Sequence, residues 1–128
     1  MRDNTFYQSD AAVAADAFAG AFNLDGTPAD GAWLQFVITR NDADADETLE
    51  VLVYGKDTDS GWATTDKQVS GNFKLVNADI ANGATVVRYL HVTTPLNYVN
   101  PYYNVGGTTP SWTIACALVS GPDQSEVN

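Results

Sequence analysis

The sequence predicts a single all-β domain, a jelly-roll-like β-sandwich. Three observations predict it. Apolar residues recur with a period of two, the repeat of a half-buried strand, at Leu49, Val51 and Val53, at Val86, Leu90 and Val92, and at Trp112, Ile114, Cys116 and Leu118. These runs are short, rich in Val, Ile and Tyr, and separated by turn dipeptides such as Asp25-Gly26, Asn82-Gly83 and Gly121-Pro122. The chain has 128 residues, room for one domain and one sizeable core, with no internal repeat and no linker. About six or seven strands at such spacing point to a sandwich or jelly roll.

Met1 to Asp10 is polar, with Phe6 and Tyr7 as its large apolar groups. Ala11 to Ala21 has helical propensity and a cap in Ser9 or Asp10, but an alanine face buries little, so strand or extended chain is expected there. Phe22 and Leu24 alternate with Asn23 and Asp25 as a short strand, and Gly26 to Gly31 reads as a loop. Trp33 to Thr39 is a near-continuous apolar run, short enough for a buried strand. Asn41 to Glu47 is an acidic loop. Thr48 to Tyr54 is a strand, and Gly55 to Thr65 is polar with Trp62 set in it. Gln68 to Leu75 is a weaker strand with Gly71 as a candidate bulge. A turn over 76–83 precedes the strand that begins at Thr85, where Val86, Arg88, Leu90 and Val92 share one face. Thr94 to Ser111 reads as a long loop, because Pro95, Pro101, Pro110 and Gly106-Gly107 punctuate it, and long loops in compact domains are usually functional or disordered. The run from Trp112 to Val119 closes the domain, and Gly121 to Asn128 is an acidic tail.

Composition narrows the function. There are 16 Asp and Glu against 6 Lys and Arg, a net charge of −10. Phosphate recognition needs clustered Lys and Arg, so no direct nucleic-acid partner is expected. No run approaches the roughly 20 apolar residues of a membrane helix, so no membrane partner is expected either. No basic segment leads into an apolar one, so no secretory signal is expected. The single cysteine, Cys116, excludes a disulfide within the chain.

Catalytic and metal readings are weak. His91 is the one histidine, and no G-x-S-x-G elbow accompanies it. Cys116 lies mid-strand between alanines, the setting of a small buried hydrophobe. Asp42, Asp44 and Asp46 form D-x-D-x-D, but an EF-hand would need Gly and Glu where Glu47 and Val53 stand. A solvated acidic loop is expected instead, with no metal and no cofactor. Trp33 and Trp112 fall within strand patterns and read as core. Trp62, Tyr98, Tyr102 and Tyr103 fall in polar or Pro-rich stretches, where aromatics anchor interfaces or stack on sugars.

Three short motifs add a resemblance. Arg88-Tyr89-Leu90, then V-G-G-T at 105–108, then A-L-V-S-G at 117–121 follow D-N-T at 3–5 and S-D-A at 9–11. In this order and spacing the chain resembles the capsid cement, or decoration, proteins of tailed bacteriophages, the family typified by the cement protein of a Bordetella podovirus. The segment T-P-L-N-Y-V-N-P-Y-Y-N at 94–104 departs from the family in looking longer and more aromatic. The resemblance implies a jelly-roll-like sandwich without catalysis, made in the host cytoplasm and carried on the outer surface of the virion. It implies the major capsid protein as partner and a homo-oligomer, a dimer before a trimer. Exposure arguments select Phe6, Tyr7, Trp62, Tyr98, Tyr102 and Tyr103, with the acidic Asp42, Asp44 and Asp46, as contacts. The tyrosines, on a loop stiffened by proline, are expected to carry more of the attachment than the carboxylates. A carbohydrate-binding module or surface adhesion domain is the second reading.

Overall fold

Alternating side chains build two-faced strands, and two such sheets bury their apolar faces against each other. The computed structural model describes residues 8–24, 32–41, 46–76, 78–93, 96–107 and 110–119. Its strands are β1 (Gln8–Val13), β2 (Ala17–Phe18), β3 (Phe22–Asn23), β4 (Ala32–Arg40), β5 (Thr48–Lys56), β6 (Lys67–Gln68), β7 (Phe73–Val76), β8 (Thr85–Val92), β9 (Tyr98–Gly106) and β10 (Trp112–Val119). There is no helix among the described residues, and the alanine-rich stretch runs as β1, a bend and β2.

The first sheet has the order β1-β10-β4-β8, and the second β2-β9-β5-β6, with β3 also on β9 and β7 also on β5. If β2 with β3, and β6 with β7, are each counted as one interrupted strand, the chain crosses between sheets at every connection except that after β5. That is jelly-roll connectivity. The whole of β10 pairs with β4, from Trp112 opposite Arg40 to Val119 opposite Trp33. The last strand therefore runs through the middle of its sheet.

The core lies between the sheets. Leu34, Phe36 and Ile38 of β4, with Trp112, Ile114 and Cys116 of β10, meet Leu49, Val51 and Val53 of β5 and Val99 and Tyr103 of β9. The Phe36 ring approaches Phe73 at 5.7 Å and Tyr103 at 6.4 Å, both edge-on, and so links the two layers. A fully buried aliphatic or aromatic side chain contributes roughly 1.5–3 kcal/mol, so this layer dominates stability.

The segment expected as a long loop over 94–111 is corrected by β9, a nine-residue strand that pairs with β5 from Gly106 opposite Thr48 to Tyr98 opposite Lys56. Pro101 misled the sequence reading, since proline cannot donate to a ladder. Its carbonyl accepts from Ala19 N–H at 2.8 Å, so the side of Pro101 that lacks a donor faces the gap between β2 and β3. Gly20 turns the chain there with φ at 134°, and its N–H donates to Asn100 Oδ1 at 2.8 Å. No ladder bond is lost because, on the side of β9 away from β5, no strand runs opposite the proline.

Three smaller corrections follow. Ten strands stand among the described residues where six or seven were expected, because the sequence reads β9 as loop and breaks at 14–16 and 69–72 divide two others. Trp33 is half-buried on the outer face of the first sheet, stacked on His91 at 4.7 Å, and is not core. Glu47 is no part of a solvated loop: it is 0 % exposed, and its Oε1 accepts from Ser111 N–H at 3.2 Å. Gly107 makes room for it. This residue has φ at 119°, and a Cβ there would lie 2.9 Å from the Asp46 carbonyl oxygen and 3.0 Å from Glu47 Oε2. Replacing Gly107 with Ala is expected to cost about 1–3 kcal/mol through backbone strain and this clash. Gly71, open on all sides, is the control, and Gly71→Ala should be near neutral. Urea denaturation midpoints of the two variants check the contrast.

Candidate functional site

Residues directly opposite in a ladder point to the same face. Val51, Val53, Pro101 and Tyr103 point inward, so Leu52, Tyr54, Tyr98, Tyr102 and Asn104 point outward from the second sheet. Phe18, opposite Tyr102 on β2, joins them. Its ring is the hub of an aromatic cluster, 4.8 Å from Tyr102, 5.9 Å from Tyr54 and 6.2 Å from Trp62. Tyr54 and Tyr102 meet edge-on at 6.1 Å. Tyr54 is buried beneath the cluster, while Phe18, Trp62 and Tyr102 are half-exposed.

The segment after β5 is folded so that Trp62 reaches this face. Lys56 Nζ donates to the carbonyls of Ser60 at 2.8 Å and Gly61 at 3.0 Å, lies 3.7 Å from Asp66, and sits 5.8 Å from the Trp62 ring centre. Trp62 Nε1–H donates to Asp59 at 2.9 Å. A cation over an indole adds a favourable contact that holds the ring.

Polar groups border the rings. Glu50 accepts from Asn72 Nδ2 at 2.6 Å and from Asn104 Nδ2 at 3.4 Å. Asp16 accepts from Val105 N–H at 2.8 Å and hydrogen-bonds the Tyr102 hydroxyl. Burial, then the Asp16 carboxylate and the neighbouring Tyr54, hold Tyr102 above its usual pKa. A cleft of about 340 Å³ adjoins the cluster, lined by the alanines of the β1–β2 bend with Phe18 and Tyr103.

Of the contacts chosen from sequence, Trp62 and Tyr102 come together here. Tyr98 lies on the same face beside Asn23 and Lys56, with no ring contact to the cluster among the described residues. Tyr103 is corrected: it is 2 % exposed and packs inward on Phe36, so it is a core residue and not a surface contact. Asp46 is exposed where the acidic segment meets β5. Phe6, Tyr7, Asp42 and Asp44 lie outside the described residues. Phe18 and Tyr54 were missed. Tyr54 stood at the end of a recognised strand, where period two already set it opposite the buried Val51 and Val53.

The arrangement offers no nucleophile–base pair at Cys116. That thiol is buried in the core on a residue that stands opposite Phe36 in the ladder, whereas His91 points outward beside Trp33. Burial pushes the Cys116 thiol far up and leaves it an unreactive neutral group. No family model matches this chain, and no curated protein matches its sequence.

Tyr103 and Cys116 set the alkaline limit. Both have their pKa raised, Tyr103 by burial and then by Cys116, and Cys116 by burial. An acid whose folded pKa is raised stabilises fully below its unfolded value, and loses that contribution as pH climbs above it. The ordinary thiol value is 9.0 and the phenol 10.0. Stability is therefore expected to be level below pH 9 and to fall above it, by up to about 1.4 kcal/mol per pH unit for each group. Thermal melts from pH 7 to 11 check this, and Tyr103→Phe should flatten the upper part of the fall.

Proposed function

We propose that this protein is a capsid cement protein, a non-catalytic structural component on the outside of a tailed-phage head that bridges neighbouring major capsid protein subunits. The observation that carries the reading is the resemblance of R-Y-L, V-G-G-T and A-L-V-S-G in order and spacing. A rigid jelly roll with an acidic surface agrees with it, although a fold alone implies no function. The mechanism is mass action: a protein that binds the assembled lattice and not its free subunits stabilises the lattice, by about 2.7 kcal/mol at a hundredfold excess over Kd. Copies on a closed shell add avidity.

We assign the shell contact to the acidic end, with Asp42, Asp44 and Asp46 meeting basic capsid groups. Where this segment enters β5, Glu47 is buried and accepts from Ser111 N–H, and Gly107 lies close beside Asp46 and Glu47. This assignment reverses the ranking drawn from sequence. The tyrosines lost their claim as loop anchors because Tyr98 and Tyr102 lie on a paired strand and Tyr103 lies in the core. Self-association as a dimer stays part of the proposal through the family resemblance.

The test is co-sedimentation with heads assembled from the major capsid protein of the same genome. Saturable binding to heads, absence of binding to free subunits and a raised head melting temperature are expected. Changing Asp42, Asp44 and Asp46 together to Asn should weaken binding at low salt and matter less at high salt, where charges are screened. Failure to bind heads in any salt rejects the reading.

A further inference from the structure

We propose that the outer face of the second sheet is a binding site for neutral carbohydrate, centred on Phe18, Trp62 and Tyr102. Pyranose rings present an apolar C–H face and a fringe of hydroxyls. They ask for half-exposed aromatic rings beside fixed carboxylate and carboxamide groups, a mostly apolar site with a few placed polar atoms. This face has both. Phe18, Trp62 and Tyr102 form one continuous apolar surface over Tyr54. Glu50 is held between Asn72 and Asn104, an alternation of acceptor and donors that matches neighbouring hydroxyls, each of which donates and accepts. Asp16 is fixed at the other border by Val105 N–H.

The charge pattern selects the occupant. Lys56, the cation beside the rings, is already committed to two carbonyls and Asp66, and Lys74 stands opposite Glu50 in the β5–β7 ladder. An anionic sugar, lipid headgroup or nucleic acid would meet the carboxylates of Asp16, Glu50, Asp59 and Asp66 around the rings, on a chain of net charge −10. A basic peptide is the competing occupant. Against it, both carboxylates at the border already accept N–H donors, and aliphatic hydroxyls share such acceptors at less desolvation cost than an ammonium group. The rings are also held in place by mutual packing and by the Lys56 bonds, so the face needs little ordering on binding.

The inference is independent of the capsid reading. The shell contact is assigned to Asp42, Asp44 and Asp46 and the sugar site is centred on Phe18, Trp62 and Tyr102, so the two proposals rest on different residues. The experiment uses the isolated full chain. Tryptophan fluorescence and calorimetry follow titration with cellohexaose, mannohexaose and maltohexaose, with a hexagalacturonate and a hexalysine peptide as charged comparisons. At least one neutral hexasaccharide is expected to bind with Kd of about a millimolar or tighter, unaffected by salt. Trp62→Ala should weaken binding about tenfold, as loss of a stacking ring does. Glu50→Gln keeps the shape of the face, guards against a misfolded ring variant, and should weaken it severalfold. The proposal is overturned if no neutral hexasaccharide binds, if binding survives both substitutions, or if only hexalysine binds and salt abolishes it. Because no capsid is present, failure here leaves the cement reading standing, and failure to bind heads leaves this one standing.

Discussion

The structure depends on one ladder, the pairing of β5 with β9. It joins the two central strands of the second sheet, and its inward residues Leu49, Val51, Val53, Val99 and Tyr103 belong to the core between the sheets. Its weak point is Pro101, fully buried opposite Val53. A proline in a central strand normally removes a ladder bond and is excluded for that reason. Here the neighbouring strand is interrupted at 19–21, Pro101 keeps its acceptor role toward Ala19, and Asn100 supplies the partner for Gly20. The break between β2 and β3 and the proline on β9 are thus one solution. Either alone would leave a backbone group without a partner, at a cost of about 1–3 kcal/mol.

This explains how much the sequence disclosed. The alternating strands β5, β8 and β10 were legible because the same period that builds a strand also exposes it to reading, and β4 was legible as a short, near-continuous apolar run. The sandwich followed from their number and spacing. β9 was not legible: its pattern Y-V-N-P-Y-Y-N-V-G alternates correctly, with Val99, Pro101, Tyr103 and Val105 inward, but proline and glycine signals overrode the period. The compensating break at Ala19 to Ala21 is eighty positions away in the chain and invisible from β9 itself. The same distance hid the candidate site. Phe18 sits in an alanine-rich stretch that promised nothing, and only the β2–β9 pairing brings it to Tyr102. Glu47 was misread because its burial is made by Gly107, which lies after β9.

The two functional proposals use different parts of this scaffold and different physics. The proposed shell contact at the acidic end rests on charge and is expected to be sensitive to salt. The proposed sugar site rests on desolvated rings and oriented hydrogen bonds and is expected not to be. Both need rigidity, which the core supplies through Phe36, Phe73 and Tyr103 packed between the layers. A cement protein that leaves a ring-lined face outward would give the particle a surface able to hold sugars, at no cost to the lattice contact.

The measurement that reaches the central claim most directly is amide hydrogen exchange across residues 98–106. If β9 is paired with β5 throughout, its ladder amides should exchange as slowly as those of β5 and β10, near the limit set by global unfolding. Exchange of this segment at the rate of an open loop, while β5 stays protected, would contradict the account.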